Sequence, residues 1–139
     1  MSYVFDADSI LILTRELREK AVDVIKGNLT TSLAYYEVGN ALWKECNLAK
    51  RLTVNEAIEV LKFVFSLLDL MEIVPITDGV LSVKTLSNAT KLNITYYDAA
   101  YLTVAQETGK ILVSDDKKLV TVSKKVGVKT SLSKTFATK

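Results

Sequence analysis

The alternation of short apolar runs with longer helical patterns predicts an α/β protein, a three-layer α/β/α sandwich with a mainly parallel sheet of about five strands. Two further observations agree with it. The run Lys110-Ile111-Leu112-Val113 is apolar without polar alternation, as in a strand covered on both faces. The chain has 139 residues, 49% of them hydrophobic and 24% charged, with five Gly and one Pro, which predicts a single domain over residues 1–139 with a continuous core.

Ser2-Tyr3-Val4-Phe5 is the first strand and delivers Asp6 at its end. Ile10 to Leu13 begins a helix for which Asp8 or Ser9 is the expected cap. Glu16 to Lys26 sets Leu17, Ala21, Val24 and Ile25 on one face, an amphipathic surface helix stopped by Gly27-Asn28. Leu29 to Ser32 is a second strand, rich in hydroxyls at its end. Leu33 to Leu48 is a long helix on which Glu37, Asn40 and Lys44 recur at three and four and so share a face.

Thr53-Val54-Asn55-Glu56 fits a capping box, followed by Ala57, Val60, Leu61, Val64, Leu67 and Leu68 at helical spacing. Met71 to Ile76 is a strand whose lone Pro75 suits a sheet edge or strand end. Asp78 caps a helix through Leu92. Asp98 then stands at or near the start of the apolar helix Ala99 to Ala105, which Gly109 closes. The buried strand at 110–113 runs into Ser114-Asp115-Asp116, with a Lys-bearing helix behind it ending at Gly127 and a last strand around Val128 to Leu132.

Composition excludes several chemistries. There is no histidine, so Ser-His and Cys-His catalysis and His-ligated zinc are ruled out. The single cysteine, Cys46, rules out an internal disulfide and reads as a small buried apolar group. The apolar runs are too short to span a bilayer, and the chain start lacks a basic leader, so no membrane role and a cytoplasmic location are expected. Charge is uneven beneath the net +2: residues 110–139 hold eight Lys against two acids, a balance of +6, and the remainder is −4. A basic third around an acidic pair could hold a polyanion over a carboxylate site, although lysines also serve simply to solvate a surface.

Four acids occupy the ends of separate elements: Asp6, Glu37, Asp98, and Asp116 or its neighbour Asp115. Ligands collect at the carboxyl ends of the strands in open α/β sheets. Each acid has a structural alternative, such as a helix cap for Asp8 or a favourable helix N-terminus for Glu37. Gathered together, however, like charges raise one another's pKa, and the usual resolution is a hard cation such as Mg²⁺ or Mn²⁺. Such a site can generate hydroxide, orient a phosphodiester and neutralise the leaving oxygen.

The segments VFDADSILIL, TTSLAYYEVGNAL, ITYYDAAYLTVA and KILVSDDKKL, in this order, resemble the acidic motifs of PIN-domain nucleases across essentially the whole chain, and the size resembles that of VapC-like ribonuclease toxins. The resemblance implies a PIN-like fold and a metal-dependent endoribonuclease with Asp6, Glu37, Asp98 and Asp116 as its Mg²⁺ or Mn²⁺ pocket. Asp6, Asp98 and Asp116 would ligate directly or through water, and Glu37 would orient the attacking water or a second ion. The hydroxyl-any-Asp pattern of the last motif favours Asp116 over Asp115, with Ser114 and Asn40 in supporting places. Asp8 stands where Ser or Thr is common in the family, a fifth acid near the metal. Lys117, Lys118 and Lys44 would meet RNA phosphates, giving affinity without sequence choice. The resemblance also implies an RNA substrate, a homodimer and a small separate antitoxin that occludes the groove.

Phe5-Asp6-Ala7-Asp8-Ser9 also resembles the Asp-x-Asp opening of haloacid-dehalogenase-type phosphohydrolases, with Asp6 as nucleophile and Asp115-Asp116 imitating their late metal motif. That reading leaves Glu37 and Asp98 without work and lacks the usual Gly-Thr after Asp8. Two more readings stand beside it: a PIN-like nuclease of RNA processing outside a toxin-antitoxin module, and a binding module that keeps the pocket and acts through a partner. Trp43 reads as a core or dimer contact, and Tyr96 and Tyr97 as packing beside the pocket.

Overall fold

A computed structural model describes residues 2–137. Its sheet has five strands in the order β3-β2-β1-β4-β5, formed by Tyr3–Phe5 (β1), Leu29–Thr31 (β2), Glu72–Val74 (β3), Ile111–Val113 (β4) and Thr130–Ser131 (β5). Every neighbouring pair is parallel. This is the predicted α/β/α architecture. Because β1 lies in the middle and the chain winds outward from it in both directions, the switch point falls beside β1. Parallel strands share one carboxyl edge, so Asp6, Thr31 and Ser114 all emerge there. Pro75 directly follows the edge strand β3, where its missing N–H costs no ladder bond.

The helices are Ala7–Leu17 (α1), Ala21–Ile25 (α2), Leu33–Asn47 (α3), Val54–Leu68 (α4), Gly79–Leu92 (α5), Tyr96–Thr108 (α6), Lys117–Lys125 (α7) and Lys134–Ala137 (α8). The capping box at Thr53 is complete: the Glu56 N–H donates to Thr53 Oγ1 at 3.2 Å, and the Thr53 N–H donates to Glu56 Oε1 at 3.0 Å. Asp78 caps α5 by accepting the N–H groups of Val80 and Leu81. Gly109 ends α6 at φ 69°, a left-handed conformation that disfavours any residue with a Cβ. Every residue from Ala99 to Ala105 is buried, so the middle of α6 is enclosed on all sides, packed against α5, β1, β2 and β4.

Three expectations need correction. The helix at 16–26 is broken: Arg18 turns the chain at φ 53°, Arg18–Lys20 forms one 3₁₀ turn, and α2 restarts with Ala21 and Ile25 buried. The cap of α1 is Asp6, not Asp8 or Ser9. Cys46 is half-buried, with Sγ 3.7 Å from the Thr53 carbonyl. Of the two readings of Trp43, core or dimer contact, the core one falls, since it is 50% exposed on the surface shared by α3 and α4. The short α8 has no counterpart among the expected elements; it seats Phe136 edge-on against Tyr3 at 5.0 Å between ring centroids. Among the described residues, no helix is long and apolar enough to cross a membrane.

Candidate active site

Asp6 is set by the sheet before any side chain acts. Its backbone N–H continues the β1 ladder by donating to the Val113 carbonyl at 3.2 Å, and its own carbonyl accepts from Ile10 in the first turn of α1. The strand therefore becomes a helix at this residue, and the carboxylate is left at the carboxyl edge, 7% exposed. There it accepts the Ser9 N–H at 2.9 Å as the cap of α1. Ser9 is locked in turn, its hydroxyl donating to the carbonyls of Asp6 and Val113 at 2.9 and 3.2 Å. Burial pushes the Asp6 carboxyl up from 3.8 to about 7, against the opposing effect of hydrogen bonds from Ser114 and Ser9, and the charge of Asp8 adds to the rise.

Glu37 lies on α3, just past the end of β2, and is half-buried. The Tyr101 hydroxyl donates to its Oε1 at 2.6 Å. Burial raises the Glu37 carboxyl, the Tyr101 hydrogen bond lowers it, and the charges of Asp98 and Asp8 raise it further. Asp98 sits in the first turn of α6, where its N–H donates to Thr95 Oγ1 at 3.1 Å; the cap of this helix is therefore Thr95. Burial raises Asp98 as well, followed by the charges of Asp116 and Asp8, while Lys118 pulls it down.

Asp115 and Asp116 part company. Asp116 caps α7, accepting the Leu119 N–H at 2.9 Å, and its own N–H donates to Ser114 Oγ at 3.1 Å. Asp116 also lines an open cleft of about 370 Å³ with Asp98, Asn93, Ile94, Thr95 and Lys118. Asp115 turns away, accepting both the N–H of Ser133 at 2.9 Å and the Ser133 hydroxyl. It ties down the chain before α8.

The structure thus draws five acids into one electrostatic neighbourhood: Asp8 is felt by Asp6, Glu37 and Asp98, Glu37 feels Asp98, and Asp98 feels Asp116. Ser114 is fully buried beneath them between Asp6 and Asp116. Asp8 itself is exposed on the first turn of α1. Of the remaining expected residues, Lys118 reaches the cleft, Lys117 is exposed beside it on α7, and Asn40 and Lys44 are exposed one and two turns beyond Glu37 on α3. Tyr96 and Tyr97 are exposed at the start of α6, preceding Asp98.

The basic third divides. Lys124 and Lys129 line a separate cavity with Tyr3 and Ile111, at the amino ends of β1 and β4, away from the acids. Two side chains outside the expected set also serve the site, and each has a spacing signal in the sequence. Ser9 follows Asp6 by three residues, the spacing of a cap and its donor, and Tyr101 follows Asp98 by three, the spacing that puts both on one helix face.

Among the described residues, no three His, Cys, Asp or Glu side chains form a closed group around one point. The arrangement is an open acidic wall. Its donors are all hard oxygens, and a divalent ion of the Mg²⁺ type needs one or two carboxylates while retaining several waters. A wall in which burial and neighbouring charge raise the carboxyls of Asp6, Glu37 and Asp98 is the setting in which such an ion is stabilising.

Comparison with known proteins bears on the family and the fold. The chain is 34% identical over 124 residues to Exonuclease VapC9 of Pyrobaculum aerophilum, covering 89% of this chain and 87% of that one. It is 32% identical over 126 residues to Ribonuclease VapC3 of the same organism, covering 86% and 92%. The fold matches the crystal structure of PAE2754 from Pyrobaculum aerophilum at a TM-score of 0.78 and 27% identity, over 99% of this chain and 95% of that one. It also matches a chain of a toxin-antitoxin complex from Klebsiella pneumoniae at 0.60 and 18% identity, over 86% and 90%. Residues 3–125, from the first strand to the end of α7, match the PIN domain, and the chain belongs to that family.

Proposed function

We propose that the protein is a metal-dependent endoribonuclease that hydrolyses RNA phosphodiester bonds, acting as the toxin of a toxin-antitoxin pair. The observation that carries the reading is the clustering of Asp6, Asp8, Glu37, Asp98 and Asp116 at the carboxyl edge of β1, β2 and β4. The names of the two curated relatives, an exonuclease and a ribonuclease, support nuclease chemistry, and the toxin-antitoxin complex among the fold neighbours supports the partner.

In this reading Asp6, Asp98 and Asp116 hold Mg²⁺ or Mn²⁺, directly or through water. When bound, the ion supplies positive charge to the phosphodiester and acidifies a water molecule. Ser114 holds Asp6 and Asp116 in place from below, and Glu37 orients the attacking water or a second ion. Lys118 and Lys117 balance the substrate's phosphates at the rim, with Lys44 further along the same surface. Asp8 adds negative charge at the mouth and strengthens ion binding. An antitoxin that covers the acidic wall silences the enzyme, and a homodimer is the expected free state.

A haloacid-dehalogenase-type reaction needs Asp115 for its metal, and that carboxylate is committed to Ser133. The test is cleavage of RNA in Mg²⁺ or Mn²⁺ by Asp6→Asn and Asp98→Asn. Both variants should fold, by circular dichroism, and fall to background activity. Full activity in either folded variant would overturn the assignment, and a labelled aspartyl-phosphate on Asp6 would favour the phosphohydrolase.

A further inference from the structure

The buried hydroxyl of Tyr101 is not used by the four-acid reading. Tyr101 is 1% exposed, so its ring is fixed by the core, and its hydroxyl donates a 2.6 Å bond to Glu37 Oε1. The Thr31 side chain, at the end of β2, also hydrogen-bonds the phenol. Thr31 is itself held by the Leu33 N–H, which donates to Thr31 Oγ1 at 3.2 Å at the start of α3. The hydroxyl therefore stands between the two elements that set Glu37, the end of β2 and the first turns of α3.

A carboxylate accepts only, so the single phenolic proton is committed to Glu37. A glutamate on a helix surface otherwise samples several rotamers. With Oε1 held by a rigid, buried donor, the carboxylate has one orientation, with both lone pairs of Oε2 and one of Oε1 left for other partners. Asp98, one turn before Tyr101 on the same face of α6, is close enough for its charge to act on Glu37.

We propose that Tyr101 is a positioning residue that fixes Glu37 so that it faces the ion-bearing site in a single orientation. The inference rests on the nuclease reading and deepens it, since Tyr101 itself touches neither substrate nor ion. Hydrogen-bond partners behind a ligating group are worth about 10–100-fold in metal affinity or activity, which sets the expected size of the effect.

The experiment compares Tyr101→Phe, Glu37→Gln and the double variant in the full chain. Each is measured by Mn²⁺ calorimetry, by RNA cleavage across a range of Mn²⁺ concentrations, and by thermal unfolding. Tyr101→Phe keeps the ring and removes only the oxygen. It should bind Mn²⁺ about 10–100-fold more weakly and cleave correspondingly slowly at limiting ion. In the Glu37→Gln background the same change should add little, because the two residues act as one unit. Unchanged Mn²⁺ binding and cleavage in folded Tyr101→Phe would overturn the inference while leaving the nuclease standing. A full additional loss in the double variant would also overturn it, since Tyr101 would then act by another route. A wild-type chain that neither binds Mn²⁺ nor cleaves RNA would remove the parent reading and this inference with it.

If Tyr101→Phe does not fold, 3-fluorotyrosine placed at position 101 keeps the hydroxyl and reports on it by ¹⁹F NMR. Its resonance should move on Mg²⁺ addition in the wild type and stay fixed in Glu37→Gln. A resonance indifferent to Mg²⁺ in the wild type would refute the positioning role.

Discussion

Asp6 shows how one side chain is given two tasks by its place in the chain. As the cap of α1 it satisfies a helix N–H, and as a carboxylate buried at the sheet edge it is held up near 7. The sign of the consequence follows from the two states. Unfolded, Asp6 loses its proton near 3.8; folded, it keeps it to about 7. Between those values the native state binds more protons, so stability without metal falls as pH rises through that window, by roughly 4 kcal/mol if Asp6 acts alone. Glu37 and Asp98, also raised, act in the same direction. Urea unfolding in a chelator should show lower stability at pH 8 than at pH 5, Asp6→Asn should flatten that difference, and Mg²⁺ or Mn²⁺ should restore the wild type at pH 8. Equal slopes in wild type and Asp6→Asn would remove Asp6 as the cause.

At the scale of elements, the helices announced by their caps form where local sequence chemistry places them. The Thr53 box and Asp78 mark starts that need only neighbouring residues, and Gly109 marks an end that needs a left-handed residue. Thr53→Ala should therefore cost about 1 kcal/mol of stability in urea unfolding and leave RNA cleavage unchanged, because α4 carries none of the site's acids. A loss of cleavage in that variant would tie α4 to the site. The break at Arg18 is not legible in the sequence, since no Gly or Pro marks it. The apolar spacing of Leu17, Ala21 and Ile25 continues through a change of axis that only packing against the rest of the molecule imposes. The acids are legible one by one as residues at element ends. Their convergence, the commitment of Asp115 to Ser133 and the bond from Tyr101 to Glu37 are long-range facts that periodicity does not carry.

Over the whole molecule, a composition that reads as one basic third separates in space into two surfaces. Lys117 and Lys118 begin α7 at the acidic cleft, whereas Lys124 and Lys129 belong to the opposite end of the strands. On the proposed function, replacing Lys117 and Lys118 with Ala should weaken RNA binding and reduce its salt slope by about 1 for each phosphate no longer neutralised. The same change at Lys124 and Lys129 should leave both unaltered, as measured by anisotropy titrations at several salt concentrations. An equal effect from the two pairs would mean that RNA crosses the molecule by another path. The central position of β1 carries one more implication, which concerns the order of assembly. Asp6 takes its place only when Val113 and Ser114, from far along the chain, arrive to hold it. A fragment lacking β4 would leave these acids apart, so on the proposed function the acidic wall assembles only in a chain that carries everything from β1 to α7.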